Sequence, residues 1–422
     1  MLANYYFYEV KRIMRTPKGL RLHIGIFGRR NVGKSSFLNV LTNQQVSIVS
    51  STPGTTTDPV DKAMELLPIG PVLFIDTAGI DDLGSLGEMR IEKSLKAIER
   101  SDVAAVITET GSWGDFEEEL LARFARENVP VIVIFNKVDL AEPDRNVTEK
   151  LNKANVPWMT TIASEGIGID TFKRLLLEIL PDDFIASRPI VGDIMDPGET
   201  VVLVVPIDKE APRGRLILPQ VQTIRDILDH DGISLIVKER DLPAALNNLK
   251  TPPALVVTDS QAFQAVARDT PPEIPMTSFS ILFARLKGDL KTLAEGALAI
   301  DGLKPGDRVL ISEACTHHPI GDDIGRVQIP KMLARRVGHK IDINVVAGHD
   351  FPDNLDNYSL VIHCGSCMFN RREVLSRIMQ CSRAGVPITN YGITLAYCLG
   401  ILRRALAPFP EMKSILEKQV VH

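Results

Sequence analysis

No cysteine occurs in the first 314 residues of this 422-residue chain; all five, at 315, 364, 367, 381 and 398, follow. An odd number without a secretory leader argues against a disulfide framework and for metal binding or plain burial. Long apolar runs are missing too. No stretch reaches the roughly 18 residues that suggest a membrane helix. The longest run, ITLAYCLGIL at 393–402, stops at Arg403 and Arg404 and predicts one buried helix. The first residues, MLANYYFYEVKRIMR, are aromatic but hold no signal-peptide core. A soluble, cytoplasmic chain without membrane contact is the expectation. There is no Lys/Arg-dense block interleaved with aromatic residues, and the net charge is −5. Both speak against nucleic acid as a partner, because phosphate contacts need clustered basic side chains.

What is present is an ordinary globular composition: 45% apolar and 24% charged residues exclude a disordered chain. The length predicts about three domains at roughly 150 residues each. RLHIGIF (21–27) reads as a buried strand, and GRRNVGKSS (28–36) follows it directly, a G-x-x-x-x-G-K-S loop before the amphipathic run FLNVLT. Gly28 and Gly33 let backbone N–H groups approach phosphates, Lys34 reaches the β and γ oxygens, and the Ser35 hydroxyl ligates Mg²⁺. Asn31, Val32 and Ser36 complete the loop's expected nucleotide contacts. This loop alone leaves ATP and GTP open.

A second strand-like run, VLFI (72–75), delivers DTAG (76–79), where Asp76 is placed to hold a metal-bound water and the Gly79 N–H to sense the γ-phosphate. A third, VIVIF (131–135), delivers NKVD (136–139). There Asn136 and Asp139 read the guanine edge and Lys137 lies over the base. Three motifs in order, each behind a strand, select GTP. Ile80 follows DTAG at the position where Ras-like switches carry a water-orienting Gln, so catalysis must draw on other groups. PGTTTD (53–58) resembles the switch of the TrmE–Era group of translation-factor-related GTPases, with Thr57 in place of Arg. That resemblance implies Thr56 as an Mg²⁺ ligand, Asn31 as a K⁺ ligand beside the phosphates, and K⁺-stimulated hydrolysis of GTP to GDP and phosphate. The base-contact loop TIASEG (161–166) is similar to the group's Ser-Ala-Lys only at Ala163.

The polar junction PDDFIASRP after TFKRLLLEIL (171–180) ends the first domain near residue 185. ETVVLVVPI (199–207), QVQTIRDILDH (220–230), SLIVKER (234–240) and ALVVTDS (254–260) then alternate strand and helix, which predicts a small α/β unit over 186–270. It holds no catalytic constellation; Asp193, Asp196 and Asp208 read as turn residues, and self-association as a homodimer is its expected role. TPPEIPMT (270–277) leads into a last unit, 271–422. RVLISEAC (308–315), KIDINVVAG (340–348), YSLVIHCGSC (358–367) and VPITNYG (386–392) read as its strands, and LARRVG and REVLSRIMQCSRAG as its helices. The fold class is therefore α/β in three domains: a Ras-like P-loop domain at 1–185 with an N-terminal extension, a small α/β dimerisation domain, and a C-terminal α/β domain with a parallel sheet.

Two of these last strands end at cysteine. In open parallel sheets ligands bind outside the carboxyl ends of the strands, so Cys315, Cys364 and Cys367 can converge. The pattern is Cys315-x-His317, then His363-Cys364-x-x-Cys367. Three thiolates and an imidazole suit a closed zinc site. Three thiolates also suit three irons of a 4Fe-4S cluster, whose fourth iron takes His, a carboxylate or an outside ligand. The residues alone leave both open. Cys381 and Cys398 read as buried, and His318, His339 and His349 as solvated or turn residues.

A TrmE–Era-like domain, an α/β middle unit and the C-x-H…H-C-x-x-C pattern together resemble the HydF family of FeFe-hydrogenase maturation GTPases. The resemblance extends over the chain after about residue 16 and includes the approach segment TPKGLRLHIGIFGRRNVGKSS. It implies a dimeric scaffold whose last domain binds a 4Fe-4S cluster through Cys315, Cys364 and Cys367. His317 and His363, by proximity, and Asp193 of the middle unit are the candidate fourth ligands. It further implies a transient di-iron precursor with CO, cyanide and a dithiolate bridge, made with two radical-SAM maturases and passed to apo-hydrogenase. GTP hydrolysis then regulates partner exchange. The competing reading is a ribosome- or RNA-associated GTPase with a C-terminal zinc module, which the missing basic patch opposes.

Overall fold

The computed structural model describes residues 18–43, 60–67, 69–77, 96–180, 188–206, 216–314, 323–366, 368–413 and 416. The chain divides into two compact units, Met1–Ser187 and Arg188–His422. Both are α/β. Among the described residues no helix is long and apolar enough to cross a membrane.

The first unit is built on six strands: β1 (Leu22–Phe27), β2 (Val60–Leu66), β3 (Gly70–Asp76), β4 (Val103–Glu109), β5 (Val131–Asn136) and β6 (Trp158–Thr161). Their order is β2-β3-β1-β4-β5-β6, and β2 alone runs antiparallel to its neighbour. β1 is buried along its whole length and β4 along all but Glu109. Burial on both faces explains why they read as unbroken apolar runs and not as alternation. The period of two then sorts the side chains. Ile24, Ile26, Val103, Ala105 and Ile107 enter one core with Phe37 and Phe172, whereas Phe27, Ala104 and Val106 enter another with Phe124. Helices α1 (Lys34–Asn43) and α2 (Asp115–Arg126) supply Phe37 and Phe124. Edge-on ring contacts, Phe37 to Phe172 at 5.2 Å and Phe27 to Phe124 at 5.0 Å, fix the two layers. All the parallel strands therefore end on one edge, where the loops meet.

The second unit holds two four-stranded parallel sheets. The first uses β7 (Thr200–Val204), β8 (Ile233–Val237), β9 (Leu255–Thr258) and β10 (Met276–Ser278), in the order β10-β9-β7-β8. β10 pairs with β9, so this sheet runs past residue 270, where the sequence placed a boundary. The second uses β11 (Arg308–Glu313), β12 (Asp342–Ala347), β13 (Leu360–His363) and β14 (Ile388–Asn390), in the order β12-β11-β13-β14. One continuous core joins the sheets, with Val202 and Val256 from the first and Leu310 and Val361 from the second. Helix α3 (Leu218–Asp229) flanks the first sheet, and α4 (Phe279–Lys287) leaves β10 directly, its start capped by the Ser278 hydroxyl accepting from Ile281 N–H. Helix α5 (Arg371–Arg383) is capped by Asn370, an arrangement worth about 1 kcal/mol. The single helix expected over 393–402 is two: Tyr391–Cys398 ends in a turn with Gly400 at φ 73°, and Leu402–Leu406 restarts it.

Candidate functional site

The phosphate loop crosses from β1 to α1 under tight steric control. A Cβ on Gly28 would lie 2.1 Å from the Ile107 carbonyl oxygen, and one on Gly33 2.1 Å from Asn136 Nδ2, so neither position admits a side chain. Asn31 has φ 63° and Lys137 φ 61°. Left-handed backbone costs a non-glycine residue about 1 kcal/mol or more, and such strain collects at functional loops. Lys34 is buried, its Nζ donating to the Gly28 carbonyl at 2.7 Å and the Arg29 carbonyl at 2.5 Å. Its ammonium is thus held inside the loop. Val32 is buried, whereas Asn31, Ser35 and Ser36 are exposed.

Asn136, at the end of β5, is the brace of this edge. Its Nδ2 donates to the Val32 carbonyl at 2.8 Å and its Oδ1 accepts from Ala163 N–H at 3.0 Å. One buried amide therefore holds the phosphate loop and the loop after β6 together. Lys137 Nζ pairs with Glu109 at 3.0 Å, and Asp139 is exposed. At the end of β3, burial raises the Asp76 carboxyl above its usual range and outweighs the opposing charges of Lys62 and Lys34. The structure brings Gly28, Asn31, Val32, Gly33, Lys34, Ser35, Ser36, Asp76, Asn136, Lys137, Asp139 and Ala163 to the same sheet edge. Thr56 and Gly79 lie outside the described residues.

Sequence reasoning missed the support of Arg29. Its guanidinium makes two 2.9 Å bonds to Glu117, whose side chain is fully buried and also accepts from Gly114 N–H at 3.0 Å. In sequence Glu117 is one acid in the run DFEEE, and nothing marks it as the buried one.

In the second unit the cysteine region forms where β11 and β13 end side by side. Cys364 N–H donates to the Ser312 carbonyl at 2.9 Å, which continues the pairing one residue beyond β13. The Cys364 sulfur accepts N–H bonds from Ala314 at 3.0 Å and Ser366 at 3.4 Å. Ala314 immediately precedes Cys315 in sequence. Cys315, His317 and Cys367 lie outside the described residues. Among the described residues no three His, Cys, Asp or Glu side chains are grouped to hold a metal. The donor chemistry at Cys364 fits a metal-bound thiolate, because N–H bonds to sulfur stabilise its negative charge.

His363, expected as a candidate fourth ligand, already has partners for both ring nitrogens. Nδ1 lies 2.9 Å from Ser366 Oγ and 3.1 Å from the Cys364 carbonyl, and Nε2 accepts from Arg377 at 3.0 Å. This geometry puts the ring proton on Nδ1. Burial first, and the Arg377 charge second, bring its pKa down to about 3, so the ring is neutral. A metal at His363 would have to displace one of these partners. Arg377 is buried and also donates to Ser312 Oγ at 2.7 Å and the Gly348 carbonyl at 2.8 Å, tying together the ends of β11, β12 and β13. Its guanidinium stacks on Phe369 at 4.4 Å and Phe351 at 4.9 Å. Glu313 accepts from Arg326 at 3.1 Å and lies 3.4 Å from the Tyr391 hydroxyl, whose ionisation is driven upward by burial and by the nearby Cys364 and Glu313. Asp193 is bound by the Arg285 guanidinium at 2.8 and 2.5 Å, a structural pairing. Cys381 is buried and Cys398 partly so, with burial raising both thiols.

Strand order, phosphate loop and guanine-reading loop define a P-loop GTPase domain, followed by two parallel α/β sheets. Residues 23–137 match the family model of the 50S ribosome-binding GTPase, residues 190–288 that of the hydrogen maturase F dimerization domain, and residues 291–408 that of the hydrogen maturase F tetramerization domain. The last two together span just over half of the chain, which belongs to the hydrogen maturase F family. Among curated relatives, GTPase Der of Wolinella succinogenes is 33% identical over 181 residues, 40% of this chain and 38% of that protein. The tRNA modification GTPase MnmE of Moorella thermoacetica is 37% identical over 180 residues, 40% of this chain and 37% of that protein. The chain thus spans well under half the length of these relatives. Of solved structures, Aquifex aeolicus Era bound to GDP·AlF4⁻ is 23% identical with a TM-score of 0.32, covering 53% of this chain and 97% of that one.

Proposed function

We propose that this chain is a GTP-hydrolysing scaffold of FeFe-hydrogenase maturation. Its C-terminal sheet carries a 4Fe-4S cluster on Cys315, Cys364 and Cys367, and the protein conveys a di-iron precursor, made with radical-SAM maturases, to apo-hydrogenase. The observation that carries this reading is the Cys364 sulfur: it sits where two strands end, with two backbone N–H groups directed at it, inside the hydrogen maturase F portion of the chain. Such a cluster supplies iron sites able to bridge or exchange ligands. The protein's own part is to hold the thiolates, direct N–H groups at sulfur and keep His363 neutral and oriented.

In the first unit, Lys34 meets the β- and γ-phosphates of GTP from its carbonyl cradle, and backbone N–H groups of the loop cover the remaining phosphate oxygens. Ser35 and Thr56 would hold Mg²⁺, with Asp76 retaining a metal-bound water. The Asn31 carboxamide would hold K⁺. Bound there, these cations would neutralise charge that develops in phosphoryl transfer, a role an arginine finger fills elsewhere. Gly79 contacts the γ-phosphate, and Asn136, Lys137, Asp139 and Ala163 frame the guanine. The sheet of β7–β10 supplies self-association.

The test is reconstitution. Purified without oxygen and mixed with the two maturases, the chain should activate apo-hydrogenase. Cys364→Ser should lose that capacity and keep GTP turnover. Full activation by Cys364→Ser would overturn the proposal.

A further inference from the structure

Lysine is rarely buried without partners for its ammonium. Lys287, the last residue of α4, is 3% exposed. Its Nζ donates to the carbonyls of Ser366 at 3.0 Å and Phe369 at 2.8 Å, and it lies 5.9 Å from the Phe283 ring centre. Both acceptors follow Cys364 closely in the chain, at the end of β13. Lys287, His363, Cys364, Gly365, Ser366 and Asn390 line one small cavity there.

Ser366 is the pivot of this segment. Its backbone is left-handed, with φ 55°. Its N–H points to the Cys364 sulfur and its carbonyl to Lys287, while its hydroxyl meets His363. Phe369 N–H also donates to the Ser366 carbonyl, at 3.2 Å. An ammonium has three donors and no acceptor, so it can gather two carbonyls at once. On the other side of His363 stands the second buried cation, Arg377. Ser366 is thus bonded directly to one buried cation, Lys287, and through His363 to a second, Arg377, in a medium where charge acts strongly.

We propose that Lys287 is a positioning and charge-balancing residue for the Cys364–Ser366 segment. Its ammonium fixes the segment in the shape that presents Cys364, and its charge offsets that of the anionic metal–thiolate group held there. The second half rests on the cluster reading above. Because α4 leaves β10 directly, the same lysine ties the Cys364–Ser366 segment to the sheet within the dimerization-domain match.

The experiment uses the full chain with Lys287→Met, which removes the donors, and Lys287→Arg, which keeps charge and donors. Hydrogen exchange on chelator-treated protein reads position: the Phe369 amide should exchange at least tenfold faster in Lys287→Met and near the parent rate in Lys287→Arg. After anaerobic loading with iron and sulfide, the midpoint potential reads charge. It should move negative in Lys287→Met, because the reduced state loses a nearby cation, and return toward the parent value in Lys287→Arg. If Lys287→Met does not fold, Lys287→Gln, a neutral donor, takes its place with the same expected potential shift. Parent-like exchange in Lys287→Met with a native melting profile overturns the positioning role, and a parent-like potential in a folded neutral variant overturns the charge role. A parent chain that takes up no iron sinks the cluster reading and the charge role with it, and the exchange result alone then decides the clamp.

Discussion

Asn136 and Val32, 104 residues apart in sequence, are joined by a buried 2.8 Å bond from the Asn136 amide to the Val32 carbonyl. The bond makes the guanine-reading strand part of the phosphate loop's support. Asn136→Ala removes it together with the bond from Ala163. Buried hydrogen bonds are worth about 0.5–1.5 kcal/mol each, so the pair supplies about 1–3 kcal/mol. GDP titrated by calorimetry should bind roughly 5- to 150-fold more weakly to the variant. Parent-like affinity would mean that the loops hold their shape without the amide.

Asp139 is exposed at the same edge, and the proposed reading has its carboxylate accept from guanine N1 and N2. Asp139→Asn should reverse the nucleotide preference toward xanthine nucleotides, whose exchanged donor and acceptor restore the pairing. Competition between GTP and xanthosine triphosphate measures this, and an unchanged preference for GTP contradicts the assignment of this loop.

Asn31 allows a clean test of potassium. Its backbone is left-handed, so Asn31→Gly deletes the carboxamide without adding the strain that alanine would bring. GTP turnover should be faster in K⁺ than in Na⁺ for the parent chain, and the same in both salts for Asn31→Gly. Equal parent rates in the two salts remove K⁺ from the account and leave GTP hydrolysis standing.

The edge strand β8 exposes Ile233 by 54% and Ile236 by 44%, and α3 beside it exposes Val221 by 48% and Leu228 by 57%. An open strand edge next to exposed apolar side chains is a template for a second copy. Ile236→Glu should halve the mass found by light scattering and leave the melting temperature unchanged. A variant that keeps the parent mass places the contact elsewhere.

Periodicity carried much of this fold. LHIGIF, VIVIF, RVLISE and LVIH are strands in the structure because buried parallel strands must be apolar on both faces. β10 escaped notice because three residues are too few for a period, and the prolines around it read as a boundary. Gly400 broke an apolar run that composition alone reads as one helix. The nucleotide loops were legible because their chemistry depends on residue type at fixed spacing. Arg29 with Glu117, Arg377 with His363, and Lys287 with Ser366 were not. Each joins residues at least 14 positions apart, and a charged residue that will be buried looks in sequence like any other charged residue on a helix. Cys364 stands out in sequence by its motif, but the N–H groups around its sulfur come from backbone geometry, which carries no letter of its own.

The central claim is that Cys315, Cys364 and Cys367 carry an iron–sulfur cluster. The direct measurement is iron, acid-labile sulfide and zinc per chain after purification without oxygen, on the parent and on Cys364→Ser. The account predicts a brown parent with about four iron and four sulfide per chain, and a pale variant that has lost most of both. A colourless parent carrying about one zinc per chain, or a Cys364→Ser variant with its full iron, would contradict it.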